Sequence, residues 1–154
     1  NGNTRQNTVM ISIHKMEPSD LGAIYEINSS SFASPWSLQA MEDEYHNDLA
    51  YYLVARENNK PVGYIGAWII LDEVQITNIA VDPGHRNQGI SKLLLAEFIH
   101  RMKEEPCTVI FLEVRVSNTA ALKLYETFNF QYIGYRKGFY EDNEDAHLMS
   151  LSLV

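Results

Sequence analysis

One helix narrows what this chain can fold into more than any other feature. Over residues 90–103, Ile90, Leu94, Phe98 and Met102 recur at i, i+4 with Leu95 and Ile99 beside them, the spacing of a helix with a single buried face. Strands flank it. Residues 108–114 are nearly apolar on both faces, as a central strand should be, and residues 74–81 read as the strand before the helix. Toward the N-terminus the pattern becomes that of a hairpin: residues 49–57 alternate, Asn58-Asn59-Lys60-Pro61 is a turn, and residues 62–71 return. A short strand at 9–14, a helix announced by Glu17-Pro18-Ser19-Asp20, and a second short helix at 37–45 precede it. A helix over 118–128, carrying Ala121, Leu124, Tyr125 and Phe128, and two strands at 130–137 and 146–153 complete the chain. Strands interleaved with helices, with hairpins at both ends, imply an α/β (α+β) fold with a mixed sheet covered by helices.

Composition sets the outer limits. The chain has 154 residues, one domain's worth. No repeat or linker divides it, so residues 10–154 are expected to form one domain behind a polar, patternless tail, residues 1–9, that is disordered or non-native. Twelve basic against twenty acidic residues leave a net charge of −8, which disfavours nucleic acid and suits a basic partner. A single cysteine, Cys107, excludes an internal disulfide and a multi-cysteine zinc site and fits a reducing compartment. His14, His46, His85, His100 and His147 are scattered without paired ligand spacing, so no metal is expected. No apolar run approaches the roughly 18 residues of a membrane helix, and no secretion signal is visible. The expectation is a soluble cytoplasmic protein that binds neither membrane nor nucleic acid.

Three local features suggest chemistry, and each has a plainer alternative. In residues 74–81 the apolar positions Val74 and Ile76 fall out of phase with Ile79 and Val81. Either a bulge near Thr77-Asn78 restores the phase, as bulges beside active sites do, or the strand is buried on both faces and the slip is incidental. Next, Arg86-Asn87-Gln88-Gly89-Ile90-Ser91 opens the amphipathic helix after a Pro-Gly turn. Free N–H groups and the helix dipole there make an anion site, and Gly89 allows close backbone approach, or the segment is only a connection. Finally, Glu113 is the lone carboxylate of a buried-type strand, which costs free energy unless it is solvated or paired. It serves either function or an ion pair with Arg115. Tyr125, on the apolar stripe of its helix, is either packing or functional.

Taken together, three runs resemble the GCN5-related N-acetyltransferases (GNAT): Asn78-Ile79-Ala80-Val81-Asp82-Pro83, Arg86-x-x-Gly89, and Leu112-Glu113-Val114-Arg115-x-x-Asn118-x-x-Ala121-x-x-Leu124-Tyr125. Pro35-Trp36-Ser37 and Phe139-Tyr140 add a resemblance to the RimI branch, the ribosomal-protein alanine N-acetyltransferases. The resemblance implies a splayed mixed sheet with acetyl-CoA in its opening. Ile79, Ala80 and Val81 would meet the pantetheine arm, Arg86, Asn87, Gln88, Gly89, Ile90 and Ser91 would wrap the pyrophosphate, and Asn118 would contact the cofactor. It further implies Glu113 as general base and Tyr125 as general acid, with the N-terminus of a basic ribosomal protein as partner. Phe32, Trp36 and Tyr140 are candidates for the wall of the peptide groove, although Trp36 after a proline also suits a helix-start anchor. Three residues depart from the family pattern: Ser91 in place of glycine or alanine, Asn129 in place of glycine, and Phe139 in place of tyrosine.

An α-amine of pKa about 7.7–8.0 is neutral on the order of a hundredfold more often than a lysine of about 10.4, which favours an N-terminal acceptor. The alternatives are a small-molecule amine or lysine acceptor, and a non-catalytic acetyl-CoA-binding module.

Overall fold

In the computed structural model, which describes residues 10–154, the order is β1 (Ile11–Lys15), α1 (Leu21–Ser31), α2 (Leu38–Tyr45), β2 (Ala50–Glu57), β3 (Lys60–Ile70), β4 (Glu73–Val81), α3 (Ile90–Glu104), β5 (Val109–Arg115), α4 (Thr119–Thr127), β6 (Gln131–Arg136) and β7 (Ala146–Ser152). The expected tail, residues 1–9, lies outside the described residues. The strands form one sheet in the order β1-β2-β3-β4-β5-β7-β6. Every neighbouring pair is antiparallel except β4–β5, the parallel pair that α3 connects. Local chemistry explains the first hairpin: Asn58 and Asn59 take φ of 51° and 69°, the left-handed conformation that a two-residue turn demands and asparagine tolerates. Asn129, at φ 70°, ends the last helix in the same way.

The sheet buries both faces. Leu53, Ile65, Val74, Ile76, Ile110 and Leu112 pack with Leu94, Phe98 and Met102 of α3 and Tyr125 of α4. On the other face Tyr52, Val54, Tyr64 and Ala80 pack with Ile24 and Ile27 of α1 and Met41 of α2. Tyr52 lies so close to Gly66 that a Cβ there would stand 2.4 Å from its ring, so only glycine fits. Most buried polar groups on this second face are matched, the Asn78 side-chain oxygen excepted. Glu44 accepts from the Tyr52 hydroxyl at 2.6 Å and the Trp68 indole at 3.0 Å, and buried Asp20 accepts from Arg56 at 2.7 Å.

Strand β4 departs from regular pairing on both of its edges. Against β3, Asn78 pairs with Gly66 and Ile76 with Ala67, which leaves Thr77 as an extra residue. That bulge resolves the phase slip: Val74, Ile76 and Val81 share one buried cluster, Ile79 packs against it, and Ala80 turns to the opposite face. Against β5, pairing stops after Glu73↔Val109, Val74↔Ile110 and Gln75↔Phe111. From Ile76 onward the two strands diverge.

Candidate active site

The divergence leaves one edge of β4 without a strand. Ile79, Ala80 and Val81 pair with Ile65, Tyr64 and Gly63 on the β3 side only. Beside the open edge lies a cleft of about 670 Å³, bordered by these three residues, most of the 85–92 segment, Ser31 and Phe32 at the end of α1, Asn118, and one face of α4 with Ala121, Lys123 and Leu124. Its lining holds Arg86, Lys92 and Lys123 and no aspartate or glutamate, in a chain of net charge −8. Cations gathered free of carboxylates fit a ligand carrying several negative charges.

The start of α3 adds to that fit. Asp82 Oδ2 accepts from the Gly84 N–H at 3.2 Å and lies 2.8 Å from His85 Nδ1, while His85 Nε2 sits 3.1 Å from Glu57. His85 beside it, with the Gly84 N–H, holds the Asp82 carboxyl below its ordinary range. The chain then turns through Asn87 and Gly89 with φ of 64° and 78°. Gly89 stands at the N-cap and no side chain caps the helix, so first-turn N–H groups of α3 are free to meet an anion. Arg86 donates to the Val81 carbonyl and the Ser31 hydroxyl, each at 3.2 Å, and forms no ion pair among the described residues, so its charge is unopposed in the cleft. Asn118 borders the cleft and caps α4, its Oδ1 accepting from the Ala121 N–H at 3.1 Å. Of the residues expected around the cofactor, only Gln88 is absent from the lining, where it is exposed.

At the point where the strands part stands Glu113. Ile110, Leu112 and Val114 alternate into the core under α3 and α4, so half-buried Glu113 faces the α1/α2 side of the sheet. Its Oε2 accepts from Gln75 Nε2 at 2.7 Å. The expected alternative, an ion pair with Arg115, is overturned. Arg115 donates instead to both oxygens of Asp142, at 2.9 and 3.0 Å, and to Glu144 at 2.8 Å. Tyr125 is 4% exposed and packs beside Phe130 at 5.4 Å. Burial raises its phenol far above the ordinary value, with the neighbouring Tyr140 adding to the effect, so it stays protonated. Tyr140 lies 4.1 Å beneath the Arg115 guanidinium. Burial raises its phenol too, Arg115 opposes the rise, and the nearby Glu113 and Glu144 carboxylates add to it.

The three groove-wall candidates do not converge. Phe32 borders the large cleft, whereas Trp36 packs against the α1/α2 core, its backbone N–H donating to Asn28 Oδ1 at 2.8 Å. Trp36 borders a separate shallow hollow with Ala40, Asp43, Glu44 and Asn47. Ser34 joins the α1–α2 loop to the β6–β7 loop, its hydroxyl donating to Glu141 Oε2 at 2.9 Å. Sequence reasoning also missed Gln75. It is one of several polar side chains in β4, and its relation to Glu113 depends on the parallel β4–β5 register, which no local pattern encodes. Among the described residues no cluster of histidine, cysteine and carboxylates is arranged to hold a metal, and no helix is long and apolar enough to cross a membrane.

Residues 21–130 match the Acetyltransferase (GNAT) family. The chain belongs to that family. It is therefore an acyltransferase, and the splayed sheet is the GNAT fold. A Bacillus subtilis (strain 168) relative, provisionally named [ribosomal protein bS18]-alanine N-acetyltransferase, is 40% identical over 143 residues, covering 92% of this chain and 95% of its own. The crystal structure of the ribosomal-protein-S18-alanine N-acetyltransferase from Escherichia coli superposes with a TM-score of 0.87 at 33% identity, covering 94% of each chain. Arabidopsis thaliana NAA60, solved in complex with acetyl-CoA, shares the fold at a TM-score of 0.86 and 20% identity, over 93% of this chain and 98% of that one.

Proposed function

We propose that residues 10–154 form one catalytic unit that transfers the acetyl group of acetyl-CoA to the N-terminal α-amine of a protein, the N-terminal alanine of ribosomal protein bS18. The observation that carries this reading is the carboxylate-free, cationic cleft along the edge that β4 leaves open once it parts from β5. The bS18-directed names of the relatives support the acceptor.

In this reading Arg86, Lys92, Lys123 and the free N–H groups at the start of α3 would hold the phosphates, and the open edge of Ile79, Ala80 and Val81 would hold the amide-bearing arm. Acetyl-CoA supplies a thioester, an acetyl group already activated for transfer. Glu113 takes the proton of the attacking amine, through water, as the new N–C bond forms. Tyr125, held neutral by burial, gives its phenolic proton to the departing thiolate as the C–S bond breaks. A thiol of pKa near 8.5, by analogy with cysteine, leaves readily as an anion, so Tyr125 contributes less than Glu113.

Incubation with acetyl-CoA and a peptide bearing the bS18 N-terminus, followed by mass spectrometry, tests the acceptor. The expected product carries one acetyl group on the terminal alanine. Acetylation confined to lysine side chains overturns the N-terminal assignment.

A further inference from the structure

We infer that Gln75 is a positioning residue for the reaction: its amide fixes the Glu113 carboxylate at the lip of the gap and leaves one oxygen free to take the amine proton. This rests on the reading of Glu113 as general base. Gln75 belongs to the last rung that β4 and β5 share, opposite Phe111, and Glu113 lies two residues further along β5 on the same face. The Gln75 amide therefore reaches diagonally across the apex of the opening, 2.7 Å from Glu113 Oε2.

Among the described residues no other side chain hydrogen-bonds that carboxylate, nearby Tyr140 included. Across from Glu113 on β7 is Leu148, which has no donor in its side chain. Arg115, two residues along the same strand, is taken by Asp142 and Glu144. Gln75 itself sits on a rigid neighbour: Trp68 faces it across the β3–β4 ladder, and the Trp68 indole is anchored on Glu44. A glutamate side chain left to itself samples several rotamers, and a misplaced base loses rate steeply. The neutral amide orients the carboxylate without adding a positive charge that would form a competing ion pair with the base.

A double-mutant cycle tests this, because a positioning effect exists only while its target is present. Gln75→Leu in the wild-type background is expected to lower kcat about tenfold, the scale of losing a hydrogen bond to a charged group, with the acetyl-CoA Kd unchanged. In a Glu113→Gln background the same substitution is expected to leave the residual kcat nearly unchanged. Gln75→His, which keeps an N–H donor at similar reach, is expected to recover part of the loss. An equal loss from Gln75→Leu in both backgrounds means a merely structural role and overturns the inference. So does a Gln75→Leu enzyme with wild-type kcat. If Glu113→Gln itself has no effect on kcat, the general-base reading falls first and this inference with it.

Discussion

The chain treats its two ends of the opening in opposite ways. The large cleft holds Arg86, Lys92 and Lys123 and excludes every carboxylate, and among the described residues these cations form no ion pair, while no side chain caps α3. The loop between β6 and β7 carries Glu141, Asp142, Glu144 and Asp145, and most of these are matched internally. Arg115 holds Asp142 and Glu144, and Asp145 accepts from Gly138 N–H at 2.7 Å and from the Tyr135 hydroxyl. The contrast separates two uses of charge. Unpaired cations and backbone donors remain available for a ligand, whereas paired carboxylates spend their interactions on holding a loop in shape.

The largest effect is expected where the two regions meet. Glu113→Gln should lower kcat by roughly 10² to 10⁴, the usual contribution of a placed acid or base, while acetyl-CoA affinity stays near wild type. Unchanged turnover in steady-state assays would remove Glu113 from the chemistry. Within the cleft, Arg86→Glu introduces the carboxylate that the lining excludes, and should weaken acetyl-CoA about tenfold or more, an effect that shrinks with added salt. Calorimetry reads it directly, and an unaltered Kd would show that the cationic lining is not the phosphate site. In the loop, Arg115→Ala leaves Asp142 and Glu144 without their cation. It should raise the peptide KM about threefold to tenfold, with the acetyl-CoA Kd unaffected.

The smallest effects come from pH. The Glu144 N–H and Arg115 hold the Asp142 carboxyl below its ordinary range, Ser117 and Arg115 do the same for Glu144, and Tyr135 and the Gly138 N–H for Asp145. Depressed folded values contribute order above the ordinary carboxyl value of about 4 and lose it as pH falls. Hydrogen exchange in residues 137–145 should therefore quicken in acid before exchange in α3 does. In alkali the sign reverses. Burial raises the phenols of Tyr52, Tyr64 and Tyr125, so their contribution is complete below about pH 10 and is lost as pH rises. Their tyrosinate absorbance should appear only together with unfolding, and its appearance in the folded protein would contradict their burial.

How far the sequence foretold this differs between the two regions. The cleft was legible because local rules build it. The out-of-phase Val74, Ile76, Ile79 and Val81 admitted a bulge, Gly89 before an amphipathic stripe admitted a helix start with free N–H groups, and the family resemblance chose these over the plainer readings. The acceptor side was not, because its contacts join residues far apart in the chain. Ser34 meets Glu141, Arg115 turns to Asp142 rather than Glu113, and Gln75 reaches Glu113 across a parallel register. Trp36 shows the same limit: its place after Pro35 fitted both a helix anchor and a groove wall, and only tertiary packing sets it against the α1/α2 core.

A crystal structure with coenzyme A bound tests the central claim most directly. The expected result is a ligand whose phosphates lie against Arg86 and the N–H groups opening α3, whose arm pairs with the free edge of Ile79–Val81, and whose sulfur ends near Glu113. A ligand seated elsewhere, or a β4 edge closed by strand pairing with β5, would contradict it.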